Sequence, residues 1–365
     1  MDSSGSLFNK ALLFIPDISG FTHFIGDRDF QHGQHIIAEL LEVLIENNPL
    51  GLRVSEVEGD AIFFYQIGNA PDIRDLIGQS EQMYLAFHTH LKKYGVSRLC
   101  NCPTCQSASR LTLKFVAHYG VVSLHPVKEH QKLFGSDVIL VHRLLKNNVP
   151  EREYLLFTEN VLPTESTHET PGDMNWRTGR DTYDLGEVKF SYSPLTHWYA
   201  NVPEPVIPEP VQYRSRKPLH LSVEINATME DVYDSLIDLN QRPFYMKGLQ
   251  KVDIRNQEVN RLNRICTTFK CSMEHEKCTF ETSGVEREDN RVTFSETLKQ
   301  HPMTYEYVLE RKNDSTVVSM IIHQAFKVPI NLLYHLVIKR KILSEANQTL
   351  QQLKVYCEAK ATHNH

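Results

Sequence analysis

No stretch of this chain approaches the roughly 20 consecutive apolar residues of a membrane helix, so no transmembrane span is expected. The opening residues "MDSSGSLFNKALLF" carry no basic cluster ahead of a long apolar core, which argues against a secretory signal. Basic charge is not in excess either: 39 Lys and Arg stand against 45 Asp and Glu, a net charge of -6. Such a balance offers no global attraction to nucleic acid or to an anionic membrane, and neither is expected as a partner. The short run Lys339, Arg340, Lys341 reads as a solvated face. Internal repeats are lacking. Cysteine is too sparse and too uneven for a disulfide framework: there are seven, and three of them crowd into Cys100, Cys102 and Cys105. That usage fits a reducing, cytoplasmic compartment with thiols or a metal.

What is present is an ordinary globular composition, 41% hydrophobic and 23% charged over 365 residues, a length that favours two domains. The clearest boundary is the Pro-rich stretch "NVPEPVIPEPVQYRSR", residues 201–216, which reads as a stiff, extended spacer. It separates a first domain, residues 1–200, from a second, residues 217–360.

The first domain alternates strands and helices. "ALLFIPDI" reads as a buried strand. "HGQHIIAELLEVLIENN" reads as a helix whose stripe is Ile36, Ile37, Leu40, Leu41, Leu44 and Ile45. "LRVSEVEGDAIFFYQ" reads as two strands meeting at Glu58, Gly59 and Asp60. Further strands and helices follow, and the order gives an α+β domain with one main sheet. The second domain opens with a strand and a helix capped by Thr228, continues through a run of alternating strands, and ends in one long helix from about residue 331 to 360. The inner stripe of that helix is Leu336, Leu343, Ala346, Leu350, Leu353 and Cys357. Cys266, Cys271 and Cys278 fall in predicted strands.

Two carboxylates attract attention. Asp17 follows an apolar strand in "FIPDISGFTHF", and Asp60 sits at the turn between two strands. Asp at such places caps helices and makes turns. Two hard carboxylates at one sheet edge would also suit Mg2+ or Mn2+, which take oxygen ligands and complete their shell with phosphate. The cysteine loop "LCNCPTCQS" can converge three thiolates on Zn2+, and a closed site then needs a fourth ligand. His88 and His90 are the nearest candidates in sequence, with His118 and His130 as others. The bland alternative is three reduced thiols in an insertion loop.

"FIPDISGFTHF" resembles the first metal motif of class III nucleotidyl cyclases, and "EGDAIFFY" resembles their second. "HYGVVSL" followed by "LFGSDVILVHRLL" is similar to the family's third stretch, and "DLGEVKFSYSPLTHWY" to its last strand pair. The resemblance covers about residues 8 to 200. It implies a ferredoxin-like domain, a purine nucleoside triphosphate as ligand and a homodimer. It implies metal ligation by Asp17 and Asp60 with the carbonyl of Ile18, a transition-state role for Arg143, and base recognition by Glu56 and Lys132. This sequence departs from the pattern in three places. Ile139 stands where the family has an orienting Asn. The phosphate-contacting Lys falls near Ser191, with Lys189 two residues away. Lys132 matches neither usual base-selecting residue. Residues 217–360 resemble the START and polyketide-cyclase-like superfamily, which implies a helix-grip fold: a curved antiparallel sheet around the last helix, with an apolar small molecule or lipid as ligand. Phe244, Tyr245, Met246, Phe269, Phe280, Phe294, Tyr305, Tyr307 and Phe326 are the candidates to line such a cavity, or simply to fill the core. The expected function is metal-dependent nucleotide binding, with cyclisation of the triphosphate as its active form. The alternative is a non-enzymatic binding protein in which the first domain is a dimerisation scaffold.

Overall fold

A computed structural model describes residues 8–20, 30–128, 130–170, 172–206, 209–246, 248–254, 264–273, 277–325 and 332–363. Phe326 and the side chains of His130 and Leu336 lie outside the described residues, as does the tail of the opening motif from Phe21 to Phe24. The chain forms a mixed α+β structure of two compact units, one of residues 1–95 and 102–205, the other of 96–101 and 206–365.

The first unit is built on strands β1 (Asn9–Ser19), β2 (Arg53–Glu58), β3 (Ala61–Ile67), β4 (Thr112–Val127), β5 (His130–Phe134), β6 (Tyr154–Thr158), β7 (Arg177–Tyr183) and β8 (Gly186–Pro194). Its helices are α1 (Phe30–Glu46), α2 (Ile73–Ser97), the short α3 (Pro103–Ser107) and α4 (Ser136–Arg143). The sheet order is β2-β3-β1-β4-β6-β8-β7, with β5 paired to one end of β4. Only the β4–β6 pairing is parallel among these strands.

Strand β1 lies centrally and reads as a continuous apolar run because both of its faces are buried. Leu13 and Ile15 pack with Phe63, Val116, Val141, Leu156 and Phe190 on one face. Phe14, on the other, lies between Phe64 at 6.4 Å and Phe115 at 5.7 Å. The pleat therefore puts Asp17 on the face of Leu13 and Ile15. The α1 stripe is buried as read, except that Ile45 is exposed. Glu39, fully buried on α1, meets His90 of α2 at 3.0 Å, a polar tie inside an apolar packing.

The second unit contains β9 (Leu219–Ile225), α5 (Met229–Ile237), β10 (Leu249–Ile254), β11 (Thr268–Met273), β12 (Lys277–Glu288), β13 (Arg291–Leu298), β14 (Met303–Lys312), β15 (Ser315–Gln324) and α6 (Leu332–His363). Its seven strands form one antiparallel sheet in the order β10-β11-β12-β13-β14-β15-β9. Thr228 caps α5 by accepting the Asp231 N–H, as the sequence predicts. Ala346, Leu350, Leu353 and Cys357 are the buried stripe of α6, and Leu343 is half-buried.

Three expectations change here. Cys266 is not in a strand: it takes φ 68 in a turn ahead of β11. Phe244 does not line an interior, being 71% exposed and stacked on Tyr356 at 5.9 Å. Last, the second half of the Pro-rich stretch is not a bare spacer. Thr297 Oγ1 donates to the Val211 carbonyl at 2.7 Å, the Tyr213 N–H to Thr304 Oγ1 at 2.8 Å, and Gln212 Nε2 to the Ser283 carbonyl at 2.6 Å. Arg214 pairs with Glu306, and the Ser215 N–H reaches His323 Nδ1 at 3.3 Å. The Pro alternation ends at Pro210, and the ties are made by the five residues that follow it, which keep their backbone N–H groups.

Inside this unit a charged pair is sealed from water. Arg242, in the turn after α5, and Glu296 of β13 are 3% and 2% exposed. The guanidinium donates through Nη1 to Glu296 Oε2 at 2.9 Å and through Nη2 to Oε1 of the same carboxylate. Nη2 also donates to the Leu236 carbonyl at 3.1 Å, and the guanidinium lies 4.9 Å from the centre of the Phe269 ring.

Candidate metal and nucleotide site

Antiparallel pairing of β1 with β3 sets Asp17 opposite Ala61, next to Asp60. The Ile18 N–H donates to the Asp60 carbonyl at 2.9 Å and locks the hairpin turn to the end of β1. Gly59 makes that turn at φ 64, a left-handed conformation that favours glycine. The structure thus brings together the two carboxylates that the sequence singled out. It adds a residue that sequence reasoning missed. Strand β4 sets Lys114 opposite Asp17, and the Lys114 Nζ donates to Asp17 Oδ2 at 2.9 Å and to the Leu145 carbonyl at 3.1 Å. The signal was present, since Lys114 is the one charge in the apolar run "LTLKFV".

Two carboxylates are hard oxygen donors of the type Mg2+ and Mn2+ take, so the donor set fits such a cation. The ammonium of Lys114 already lies against Asp17, and an arriving metal would compete with it. Burial raises the Asp17 carboxyl above its ordinary range, Lys114 pulls it back, and Asp60 adds to the rise. Burial also raises Asp60. A carboxyl raised in the folded state lends stability below the ordinary value of about 3.9 and loses it as pH climbs through the folded value. At neutral pH the metal-free fold therefore carries an unfavourable charge at Asp60. Asp60→Asn is expected to stabilise that state by less than about 1 kcal/mol, after allowing for solvent screening. The gain should shrink as pH falls toward the ordinary carboxylate range, because the raised Asp60 carboxyl takes up its proton before the unfolded one does. Melting curves across this pH range check it, and a gap that widens in acid contradicts it.

The other predicted site residues are distributed differently. Glu56 and Lys132, read as two base-selecting groups, pair with each other at 3.2 Å. Arg143 is exposed and lies 3.6 Å from the exposed Asp184. Ile139 is 54% exposed, so an apolar side chain stands in the open where the motif has an amide. Ser191 is fully buried and Lys189 is exposed. Beside them is a polar cluster that the motifs did not disclose. Buried His118 lies 2.9 Å from Thr158 Oγ1 through Nδ1 and 3.3 Å from Asp137 Oδ1 through Nε2. Burial lowers the His118 pKa against the pull of Asp137. Asp137 Oδ2 accepts the Val121 N–H at 2.5 Å.

At the cysteine loop the expected fourth ligands are engaged elsewhere. His88 pairs with Glu153 at 2.8 Å, His90 with Glu39, and His118 with Asp137 and Thr158. The histidine beside the thiols is His32, in the first turn of α1, with its Nδ1 3.5 Å from Cys102 Sγ and 3.6 Å from Cys105 Sγ. Hydrogen bonding to Cys102 and then to Cys105 raises His32 to about 10, against the opposing effect of burial. None of the seven cysteines is in a disulfide.

Comparison with known proteins gives the following. A family model described as a protein of unknown function (DUF2652) matches residues 37–154. Over 146 residues the chain is 37% identical to the uncharacterized protein Rv2561/Rv2562 of Mycobacterium tuberculosis, covering 37% of this chain and 68% of that protein. Among solved structures, a bacterial light-regulated adenylyl cyclase is similar over 50% of this chain and 89% of its own, with 14% identity and a TM-score of 0.36. The guanylate cyclase domain of RhGC from Catenaria anguillulae, in complex with GTP, is similar over 51% of this chain and 96% of its own, with 15% identity and a TM-score of 0.34. Among the described residues no helix is long and apolar enough to cross a membrane.

Proposed function

We propose that this chain, which belongs to the family of the uncharacterized protein Rv2561/Rv2562 of Mycobacterium tuberculosis, binds a purine nucleoside triphosphate together with Mg2+ or Mn2+ in its first unit. The observation that carries this reading is the convergence of Asp17 and Asp60 at the β1 and β3 ends, held by the Ile18–Asp60 backbone bond. Asp17 and Asp60 would hold the cation, with the Ile18 carbonyl as a third donor, and the cation would supply charge to gather the phosphates. Turnover is a further step, and the residues around the carboxylates favour binding over cyclisation. Arg143 faces Asp184, Ile139 offers no hydrogen bond, and Glu56 and Lys132 neutralise each other, so the groups that would orient a ribose and a leaving pyrophosphate are altered or engaged. A homodimer is part of the proposal, because Arg143 would then act on the carboxylates of a second copy.

For the second unit we propose a START-like helix-grip fold that senses an apolar small molecule or lipid in a cytoplasmic setting. Its support is the seven-stranded antiparallel sheet with the long α6, and the inward aromatic pairs Phe269–Phe280 and Phe294–Tyr307 at 5.7 and 5.9 Å.

The test is thermal stabilisation by GTP and by ATP with Mn2+. A ligand at one hundred times its Kd adds about 2.7 kcal/mol, which moves the melting temperature of a unit this size by roughly 5–10 °C. The shift is expected with Mn2+ and a nucleotide together, and Asp17→Ala and Asp60→Ala should each remove it. If neither nucleotide shifts the melting curve with Mn2+ present, the reading fails.

A further inference from the structure

We propose that the cysteine loop and the first turn of α1 form a structural Zn2+ site with Cys100, Cys102, Cys105 and His32 as its four ligands. The ligand atoms of these residues all lie within 4.8 Å of one another. They provide three soft sulfurs and one imidazole nitrogen, the S3N set of closed structural zinc sites.

The two distances from the imidazole agree with a shared metal. A tetrahedral Zn2+ holds sulfur at about 2.3 Å and nitrogen at about 2.0–2.1 Å, so a sulfur and a nitrogen sharing it stand about 3.6 Å apart. The two edges from His32 Nδ1 are 3.5 Å to Cys102 and 3.6 Å to Cys105. The loop also supports a thiolate at Cys102. The Cys105 N–H donates to Cys102 Sγ at 3.4 Å, with Cys102 as the N-cap of α3 in extended conformation. Backbone donors of this kind orient a coordinating sulfur and hold its negative charge. Cys100 and Cys105 are buried, and Cys102 and His32 half-buried; four protein ligands on a tetrahedral ion would leave no position for water or substrate.

The site gives the C-x-C-x-x-C loop a purpose separate from the nucleotide. Cys102 and His32 are 70 residues apart in the chain. A metal on both closes that long loop and pins the start of α1, the helix that follows the strand carrying Asp17. Asp17 and Asp60 take no part, so this proposal and the nucleotide reading stand or fall independently.

The experiment uses the full chain, expressed with added zinc and stripped of loosely held metal by desalting. Elemental analysis should find zinc near one equivalent per chain. Exchange for Co2+ should give the intense visible bands of a tetrahedral thiolate site. Cys102→Ser and Cys105→Ser should each weaken zinc binding by at least about a hundredfold in chelator competition. Because those variants can lose their fold, His32→Cys supplies the decisive arm. It keeps four ligands, so the metal stays, and the cobalt spectrum moves as nitrogen is replaced by sulfur. Three results overturn the proposal: zinc below about a tenth of an equivalent, iron with sulfide in its place, or a cobalt spectrum that His32→Cys leaves unmoved.

Discussion

Arg242→Ala is expected to destabilise the second unit by about 3–5 kcal/mol, the range for removing one partner of a buried ion pair. The reason lies with the group left behind. Glu296 is 2% exposed, and without the guanidinium both of its oxygens lose their donors while water stays excluded. The Leu236 carbonyl loses a donor as well, and the Phe269 ring loses the cation above it. Urea unfolding followed by circular dichroism should show the midpoint fall with little change in slope. The double variant Arg242→Met, Glu296→Leu separates charge from shape. It removes both charges and keeps most of the volume, so it should recover most of the loss. A loss under about 1 kcal/mol for the single variant would mean that water reaches Glu296 and that the pair is not sealed.

Gly120→Ala is the second large effect, expected at about 2–3 kcal/mol. A Cβ on Gly120 would lie 2.4 Å from the carboxylate carbon and from Oδ2 of Asp137. Asp137 is short and cannot swing aside cheaply, because Oδ2 holds the Val121 N–H and Oδ1 faces His118. The substitution therefore displaces the carboxylate and breaks its hydrogen bond together. Asp137→Ala alone should lose only the polar contacts, and adding it to Gly120→Ala should give a double variant more stable than the sum of the two. Gly78→Ala serves as the contrast: nothing lies within 4 Å of its added Cβ, and it sits inside α2, so it should gain about 0.5–1 kcal/mol. Equal losses at both glycines would show that chain stiffness rather than Asp137 decides the result.

Much of the first unit can be read from order and period. The run "ALLFIPDI" had to be a strand buried on both faces, and the stripe from Ile36 to Leu44 had to be a helix, because few other arrangements bury those side chains. The meeting of Asp17 and Asp60 follows from a strand end and a hairpin turn lying side by side. Lys114 is different. That it faces Asp17 depends on the register between β1 and β4, strands separated by three α-helices and two strands, and no period in the chain encodes that register. His32 is harder still. Its neighbours in sequence point to an amphipathic helix, and its partners begin almost 70 residues later. Nearness in sequence favoured His88 and His90, yet Glu153 and Glu39 occupy them. Cys266 illustrates a third kind of miss: an alternating pattern suggested a strand, while the backbone turns there with φ 68.

The ties from Val211 to Ser215 set where this chain can be divided. A fragment begun at residue 217, where composition alone would cut, loses the partners of Thr297, Thr304, Ser283, Glu306 and His323. Within the fragment Thr297 and Thr304 would keep each other at 2.9 Å and Glu306 would keep His323 at 3.4 Å, but the Ser283 carbonyl would lose the Gln212 donor and Glu306 its guanidinium, which lowers the stability of the fragment. A fragment that keeps Pro210 carries its own covering strap. Separation of the two units by truncation therefore has to cut on the amino-terminal side of Pro210, inside the stretch that looks most dispensable.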